Sequence, residues 1–290
     1  MIHNIRRSVL YIPALNTKAL SKIASLACDA VIVDLEDAVA TQNKDAARSN
    51  VVDFLIDLKP QTTKEILVRI NSPATEFYRK DLAAIAPFIN NFHGIVLPKA
   101  ERDDDVCGLH EACSHYNTTD KSKRYIWLLL ETPLGIIRAH SLATSSPAVT
   151  ALVMGTSDLA QQLQLPSTLK AGDRKPFWYS LSQCVVAARA AGVSAIDGVH
   201  LDLSNDKEFE AACAEGKNFG FDGKTLIHPK TIDTCNRVFS PDAAEVALAT
   251  EIVAQWEAAN TDMLVLNGKL IESLHYNRAR QIVGISKRCM

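Results

Sequence analysis

The sequence predicts a closed (β/α)8 barrel with a C-terminal helical extension. Short apolar runs alternate with amphipathic stretches eight times, which is typical of a parallel sheet whose strands are joined by helices. Eight such units in about 240 residues fit a closed barrel better than an open sheet. No Gly-x-Gly-x-x-Gly follows the first apolar run, so the main sign of a dinucleotide-binding sheet is missing.

The predicted strands and helices can be placed along the chain. The strands are short and mostly continuous in apolar residues, as expected where both faces of a strand are covered. The helical patterns are longer and repeat apolar residues at helical spacing. The predicted strands are 8–12, 30–35, 65–70, 94–97, 125–130, 151–154, 195–198 and 223–226, and the helical patterns are 17–28, 44–58, 75–84, 103–116 and 175–191.

The pattern changes at residue 240. An alanine-rich helix is predicted at 242–260, followed by a short apolar segment at 263–266, a turn at Asn267-Gly268 and a last helix at 273–286. This tail is too short for an independent domain. We therefore divide the chain into a catalytic barrel, 1–239, and a helical extension, 240–290, which packs on the barrel or completes the site of a neighbouring subunit.

Composition narrows the classes of partner. The chain has 290 residues, 47% of them hydrophobic, and its 31 basic and 33 acidic residues give a net charge of −2. No run of one charge suggests a nucleic-acid or polybasic membrane surface, and no apolar run approaches the length of a membrane span. The seven cysteines form no Cys-x-x-Cys pair, which argues against zinc and disulfide frameworks. With no signal-peptide pattern, we expect a cytoplasmic protein that binds a small molecule.

Two of the predicted strands end close to a carboxylate. Glu131 follows the apolar run 125–130, which Pro133 terminates, and Asp158 comes shortly after the run that breaks at Gly155. Carboxyl ends of neighbouring parallel strands converge on one face, and Mg²⁺ takes one or two carboxylates together with water and substrate oxygens. Such carboxylates can also be simple helix caps or solvated loop residues.

Charged residues also mark the ends of the second and third strands. Asp34, Glu36 and Asp37 lie within four residues, which is more than a helix cap requires. One can cap the next helix, and the others are candidates to hold the water ligands of a metal. Arg69 lies at the end of an otherwise apolar strand and needs a counter-charge. That charge can come from internal carboxylates or from an anionic substrate, since guanidinium suits carboxylates and oxyanions.

Three lysines near strand ends leave alternatives open. Lys18 and Lys22 are four residues apart in a helical pattern, so they share a helix face and are either a phosphate-binding pair or ordinary surface residues. Lys99 follows the fourth strand. It can form a Schiff base with a carbonyl substrate or remain protonated and paired with carboxylates, and we favour the second interpretation.

Taken in order, these segments resemble the citrate lyase β-subunit family, which includes malyl-CoA and citramalyl-CoA lyases. The resemblance covers nearly the whole chain. It is carried by RSVLYIP at 7–13, VDLEDAV at 33–39, VRIN at 68–71, VLPK at 96–99, LETPLG at 130–135, GTSDL at 155–159 and IHP at 227–229.

The resemblance implies a barrel enzyme, usually an oligomer and often a trimer, that uses Mg²⁺ to cleave a β-hydroxyacyl thioester of CoA. By matching position, Glu131 and Asp158 correspond to the metal ligands, with Glu131 also next to the substrate. Arg69 corresponds to the substrate-binding arginine. Three further residues fall where family members bind the CoA carrier of the thioester: Tyr11, Lys18 and Lys22.

One position departs from the family pattern. Family lyases have an aspartate in the tail that is thought to carry the proton, often into a neighbour's active site. This chain has glutamate at the corresponding position, in the segment Asn267-Gly-Lys-Leu-Ile-Glu272. Glu272 keeps the carboxyl group but is one methylene longer, so either it carries the proton with a changed reach or the reaction differs from that of the family.

The predicted activity is Mg²⁺-dependent retro-Claisen cleavage of a citramalyl-, malyl- or citryl-type CoA thioester to an acyl-CoA and a keto acid. Three alternatives remain: a citrate lyase β subunit that depends on a carrier protein, a malyl-CoA thioesterase, and a Mg²⁺-dependent aldolase of a free hydroxy-keto acid. The pocket residues that choose among thioesters cannot be placed from the sequence.

Overall fold

A computed structural model describes residues 5–58, 64–116, 125–170, 172–259 and 263–289. Eight parallel strands form a closed barrel in sequence order, with the first strand hydrogen-bonded to the eighth. The predicted (β/α)8 barrel is therefore confirmed. The strands are β1 Ser8–Pro13, β2 Ala30–Asp34, β3 Glu65–Arg69, β4 Gly94–Leu97, β5 Ile126–Leu130, β6 Val149–Met154, β7 Ser194–Asp197 and β8 Gly223–Leu226.

The side chains of the barrel strands are buried on both faces of the sheet. One set of apolar residues, contributed by successive strands, fills the barrel interior around the fully buried Trp127. Every residue of β2, β3, β4 and β5 is buried, so the pattern of continuous apolar runs follows directly from two-sided burial. The parallel register places Asp34 beside Arg69 at the carboxyl end of the sheet.

Helices connect the strands on the outside of the barrel. The α-helices of this region are α1 Thr17–Leu20, α2 Lys44–Asp57, α3 Phe77–Ile85, α4 Asp103–Ser114, α5 Pro133–Ile137, α6 Ala139–Thr144, α7 Thr156–Gln162, α8 Trp178–Ala191, α9 Asp206–Phe219 and α10 Ile232–Phe239.

The prediction of one continuous helix at 17–28 is wrong. Helix α1 ends at Leu20, and a separate 3-10 turn spans Ile23–Ser25. The hydroxyls of Ser21 and Ser25 donate to the carbonyls of Lys18 and Lys22, and such local bonds compete with continuation of a helix. Lys22 therefore lies beyond the helix that contains Lys18.

The chain divides into two compact units, Met1–Asn236 and Arg237–Met290. The second contains α11 Ala243–Ala259, an antiparallel hairpin of β9 Met263–Leu266 and β10 Lys269–Glu272, and α12 Ser273–Cys289. Asn267 and Gly268 both have positive φ angles, 51° and 75°, as two-residue hairpin turns require. The sequence suggested a purely helical tail. The structure differs, because Lys269–Glu272 forms a strand that pairs with Met263–Leu266.

Two general expectations can be compared with the described residues. All seven cysteines have free thiols. In the described ranges, no helix combines the length and apolarity that a bilayer span would need.

Candidate metal and substrate site

Charged side chains from four strand ends meet at the carboxyl face of the barrel. Lys99, which follows β4, lies at the centre of this group. Its Nζ is 2.7 Å from Glu36 Oε1, 3.1 Å from Asp158 Oδ2 and 3.8 Å from Glu131 Oε1. The side chain of Asp37 completes the group at 3.9 Å. Glu131 and Asp158, predicted as a pair, are therefore brought to the same ammonium.

The backbone of Lys99 also shapes the site. Its φ angle of 49° lies in the left-handed region, which non-glycine residues seldom adopt. In this conformation the Lys99 amide donates to Glu131 Oε1 at 2.8 Å. One residue thus contacts the Glu131 carboxylate through its main chain and the Asp158 carboxylate through its side chain.

Lys99 is paired with carboxylates, in an environment that favours its charged form. Burial alone would lower the pKa of its ammonium, but the hydrogen bond to Glu36 and the charge of Glu131 raise it above the ordinary value. A nucleophilic amine has to lose its proton, so this environment opposes Schiff-base formation.

Glu131 occupies a tight, buried position. Its side chain is only 3% exposed, and burial, followed by the charge of Glu36, raises its pKa to about 8. The carboxylate fits there because residue 155 is glycine. A Cβ at Gly155 would lie 2.4 Å from Glu131 Cβ and 2.7 Å from Oε2, which is closer than van der Waals contact allows.

Arg69 is held by carboxylates of the second strand. Its Nε and Nη2 donate to the two oxygens of Asp34 at 2.7 and 2.6 Å, in the bidentate geometry that guanidinium favours. The ring of Tyr11 lies 4.9 Å from the guanidinium carbon. Asp34 also accepts from the amides of Glu36 and Ala38, so both of its oxygens are engaged, and we assign it to orienting Arg69.

Glu36 connects the two basic side chains. Its Oε1 accepts from Lys99 Nζ at 2.7 Å, while its buried Oε2 lies 2.9 Å from Arg69 Nη1 without the alignment of a hydrogen bond. Burial raises the pKa of Glu36 above the ordinary carboxyl value, although Arg69 lowers it. Glu36 therefore has a buried oxygen with spare capacity to accept a hydrogen bond.

A family model described as HpcH/HpaI aldolase/citrate lyase matches residues 7–229. The chain belongs to this family. The family resemblance inferred from the sequence is confirmed.

Relatives and solved structures extend this result over the whole chain. A (3S)-malyl-CoA thioesterase of Cereibacter sphaeroides is 37% identical over 281 residues, which cover 96% of this chain and 93% of that protein. Citrate lyase subunit beta of Escherichia coli is 30% identical over 289 residues, covering 96% and 92%. The structure of CitE from Mycobacterium tuberculosis in complex with magnesium, acetoacetate and coenzyme A is 27% identical, with a TM-score of 0.78 and 97% of each chain covered.

The charged cluster at the carboxyl face of the barrel contains more carboxylates than basic side chains, a balance that favours a hard divalent cation. It contains five carboxylates but only two basic side chains. Among the described residues, no three or more His, Cys, Asp and Glu side chains are arranged to enclose a metal ion. Mg²⁺ suits this composition because it keeps several waters and uses few carboxylates. The carboxylates are Asp34, Glu36, Asp37, Glu131 and Asp158, and the basic residues are Arg69 and Lys99.

Three further predicted site residues are exposed in the structure. Lys18 and Lys22 are exposed, and they do not share one helix because α1 ends between them. Glu272 lies at the end of β10 in the second unit, where it is exposed and its amide donates to His275 Nδ1. The proposed roles of these residues remain predictions.

Sequence reasoning missed a second buried charge cluster at the barrel end. Asp197, the last residue of β7, accepts from Arg174 Nη2 at 2.6 Å and from Lys224 Nζ at 2.9 Å. Lys224 lies inside β8, and a lysine within a short buried strand was the available signal. Glu215 Oε2 also lies 3.4 Å from Arg174 Nη1. Because both cations have carboxylate partners within the protein, we regard this cluster as structural.

Proposed function

We propose that this protein is a Mg²⁺-dependent enzyme that cleaves the carbon–carbon bond of a malyl-type β-hydroxyacyl-CoA thioester. The observation that carries the proposal is the acidic cluster at the barrel mouth, where five carboxylates face only two basic side chains. This imbalance suits a divalent cation. The magnesium and coenzyme A in the related CitE structure support the same choice of cofactor and carrier.

Glu131 and Asp158 are the proposed metal ligands. When bound, Mg²⁺ supplies Lewis-acid chemistry that lowers the cost of negative charge on substrate oxygens. Lys99 fixes the two carboxylates relative to each other, since its amide contacts Glu131 and its ammonium contacts Asp158. Glu36 and Asp37 are the proposed acceptors for hydrogen bonds from the water ligands of the ion.

Arg69 is the proposed oxyanion partner. As the carbon–carbon bond breaks, the substrate hydroxyl passes its proton to a carboxylate of the acidic cluster and its carbon becomes the carbonyl of the oxo acid, an aldehyde for a malyl thioester and a ketone for a citramalyl or citryl thioester. The bonding electrons move to the thioester as an enolate. A fixed guanidinium stabilises the enolate oxygen without reorganising. The bidentate contact with Asp34 holds Arg69 in that orientation.

Glu272 is the proposed acid that protonates the enolate carbon and releases the acyl-CoA. It belongs to a hairpin face on which Met263, Val265 and Leu270 are 59%, 69% and 51% exposed. An exposed apolar face of this kind is suited to contact with another protein surface. We therefore propose a homo-oligomer in which the extension of one copy brings Glu272 to the barrel of a neighbour.

CoA binding is assigned to residues at the start of the barrel. Lys18 and Lys22 are exposed, and lysine ammonium groups bind phosphates as point charges. Tyr11, which packs on Arg69, would lie between the carrier and the reacting centre. If the substrate were a free hydroxy-keto acid, replacing the two lysines would leave KM unchanged.

Hydrolysis of the same thioester is the second candidate. It is favoured by the relatives named (3S)-malyl-CoA thioesterase, which are more similar to this chain than the citrate lyase β subunits, at 37% against 30% identity. In that reaction water attacks the thioester carbonyl and the carbon–carbon bond stays intact. The 30% identical citrate lyase subunits support a further variant, in which the thioester is attached to a carrier protein.

A product assay separates these reactions. The purified protein is offered malyl-, citramalyl- and citryl-CoA with Mg²⁺, and keto acid, acyl-CoA and free thiol are measured in parallel. Equal amounts of keto acid and acyl-CoA without free thiol support the lyase, and free CoA without keto acid identifies the thioesterase. No turnover of any CoA thioester, or equal turnover after EDTA treatment, would refute the proposal. Glu131→Gln serves as the inactive control.

A further inference from the structure

Lys44, a buried lysine at the start of α2, contacts the segment that carries the acidic cluster. Its side chain is 7% exposed. Nζ donates to the carbonyls of Leu35 and Glu36 and to Asn71 Oδ1, each at 2.7 Å. An ammonium has three N–H donors, so all of them are used within the protein.

These contacts are unusual for a buried cation. In the described part of the chain, Lys44 has no carboxylate within ion-pair distance, and its three acceptors are neutral oxygens. Burying a charge without an ion-pair partner is costly, and burial lowers the pKa of Lys44, although the more distant charges of Asp34 and Asp81 raise it. The charge-assisted bonds to two consecutive carbonyls offset that cost only while the carbonyls stay in place.

Asn71 joins the same network from the end of β3. Its Nδ2 donates to the carbonyl of Leu35 at 3.0 Å and to Asp81 Oδ2 at 2.5 Å, and its amide donates to the same oxygen at 2.9 Å. Asn71 is two residues from Arg69. Lys44 and Asn71 together, here called the Lys44–Asn71 clamp, therefore tie the segment 34–38 to the strand end that carries Arg69.

We propose that Lys44 is a positioning residue, which fixes the segment 34–38 and thereby sets the contacts of Glu36 with Arg69 and Lys99. Glu36 spans these two basic groups at 2.9 and 2.7 Å, and its backbone carbonyl is one of the oxygens that Lys44 holds. Catalytic groups have to stay within about 0.5 Å of their productive positions. The consequence for turnover rests on the proposed function, whereas the clamp itself does not.

Lys44→Met tests the proposal, with Arg174→Met as a matched control. Arg174 is a second buried cation with the same 7% exposure, but its partners are Asp197 and the carbonyl of Ala212 rather than the segment 34–38. Neither replaced residue belongs to the catalytic group. Both variants should lose thermal stability, so a loss of stability alone does not distinguish positioning from packing.

Two measurements on the full-length protein distinguish them. Hydrogen exchange of the amides of residues 35–38 should become at least tenfold faster in Lys44→Met and stay within about twofold of the wild type in Arg174→Met. For a thioester that the wild type turns over, kcat per folded enzyme should fall about 10- to 100-fold in Lys44→Met only, with KM and Mg²⁺ affinity nearly unchanged.

The outcomes separate the clamp from the reaction. Unchanged exchange in Lys44→Met, or equal losses of kcat in both variants, would overturn the positioning role. Faster exchange with a wild type that turns over no thioester would support the clamp and refute the proposed function. If Lys44→Met does not fold, Asn71→Leu removes the clamp from its other side and should give the same pattern of exchange.

Discussion

Gly155 gives the most direct way to move one proposed metal ligand without changing its chemistry. In Gly155→Ala the new methyl group would lie 2.4 Å from Glu131 Cβ and 2.7 Å from Glu131 Oε2. Carbon atoms prefer separations of about 3.5–4.0 Å, so the backbone and Glu131 have to move apart by about 1 Å. Glu131 is buried and cannot swing into solvent.

We expect two consequences of this displacement. The strain should lower the free energy of unfolding by about 1–3 kcal/mol, as for other overpacked sites. A shift of about 1 Å at a reacting centre typically costs on the order of 10²-fold in rate, so kcat/KM for the thioester should fall by about that factor. Chemical denaturation and steady-state kinetics measure the two effects separately.

Gly108→Ala is the matched control. Gly108 is exposed within α4, and no atom lies within 4 Å of an added Cβ. Alanine is favoured over glycine in an exposed helix by about 1 kcal/mol, so this variant should be slightly more stable and fully active. Wild-type activity in Gly155→Ala, or equal effects of both substitutions, would refute the argument that Gly155 sets the position of Glu131.

Three further predictions concern the charges of the site. Lys99→Met should tighten Mg²⁺ binding at pH 9 about tenfold or more, because the Lys99 ammonium and the metal ion compete for the same carboxylate oxygens. Calorimetric titration measures this affinity, and unchanged or weaker binding would contradict the prediction. Asp34→Asn should lower the free energy of unfolding by about 3 kcal/mol, because the buried Arg69 guanidinium loses its bidentate carboxylate partner. A loss below about 1 kcal/mol in urea unfolding would be inconsistent with that pairing. The pKa of Glu131, about 8 when folded, lies above that of an unfolded glutamate. Its contribution to stability is therefore present below pH 5 and is lost as the pH rises towards 8, so Glu131→Gln should flatten the decline of Tm over this range.

The barrel could be predicted because burial on both sides of a parallel strand leaves a plain sequence signal. The strands predicted at 94–97 and 223–226 coincide with β4 and β8, and the ends of the other six lie within one or two residues of the predicted ones. The proximity of the carboxylates that follow β5 and β6 could also be predicted, because the two strands are parallel neighbours. The topology brings these ends together whatever the side-chain rotamers are.

Other features depended on contacts that a sequence pattern does not contain. The central position of Lys99 requires a left-handed backbone at a non-glycine residue, which local propensity argues against. Lys44 reads as an ordinary surface lysine at a helix start, and only the fold brings the carbonyls of Leu35 and Glu36 to it. By contrast, Asn267-Gly268 is a sequence typical of a hairpin turn. The hairpin was not predicted because the strand that follows the turn has only four residues.

Calorimetric titration of Mg²⁺ into the wild type, Glu131→Gln and Asp158→Asn tests the central claim most directly. The wild type should bind one ion per chain, and both variants should lose at least about 1.4 kcal/mol of binding free energy, a tenfold loss of affinity, while keeping the wild-type fold by circular dichroism. Undiminished binding in both variants, or no binding by the wild type at millimolar Mg²⁺, would contradict the assignment of the barrel mouth as a magnesium site.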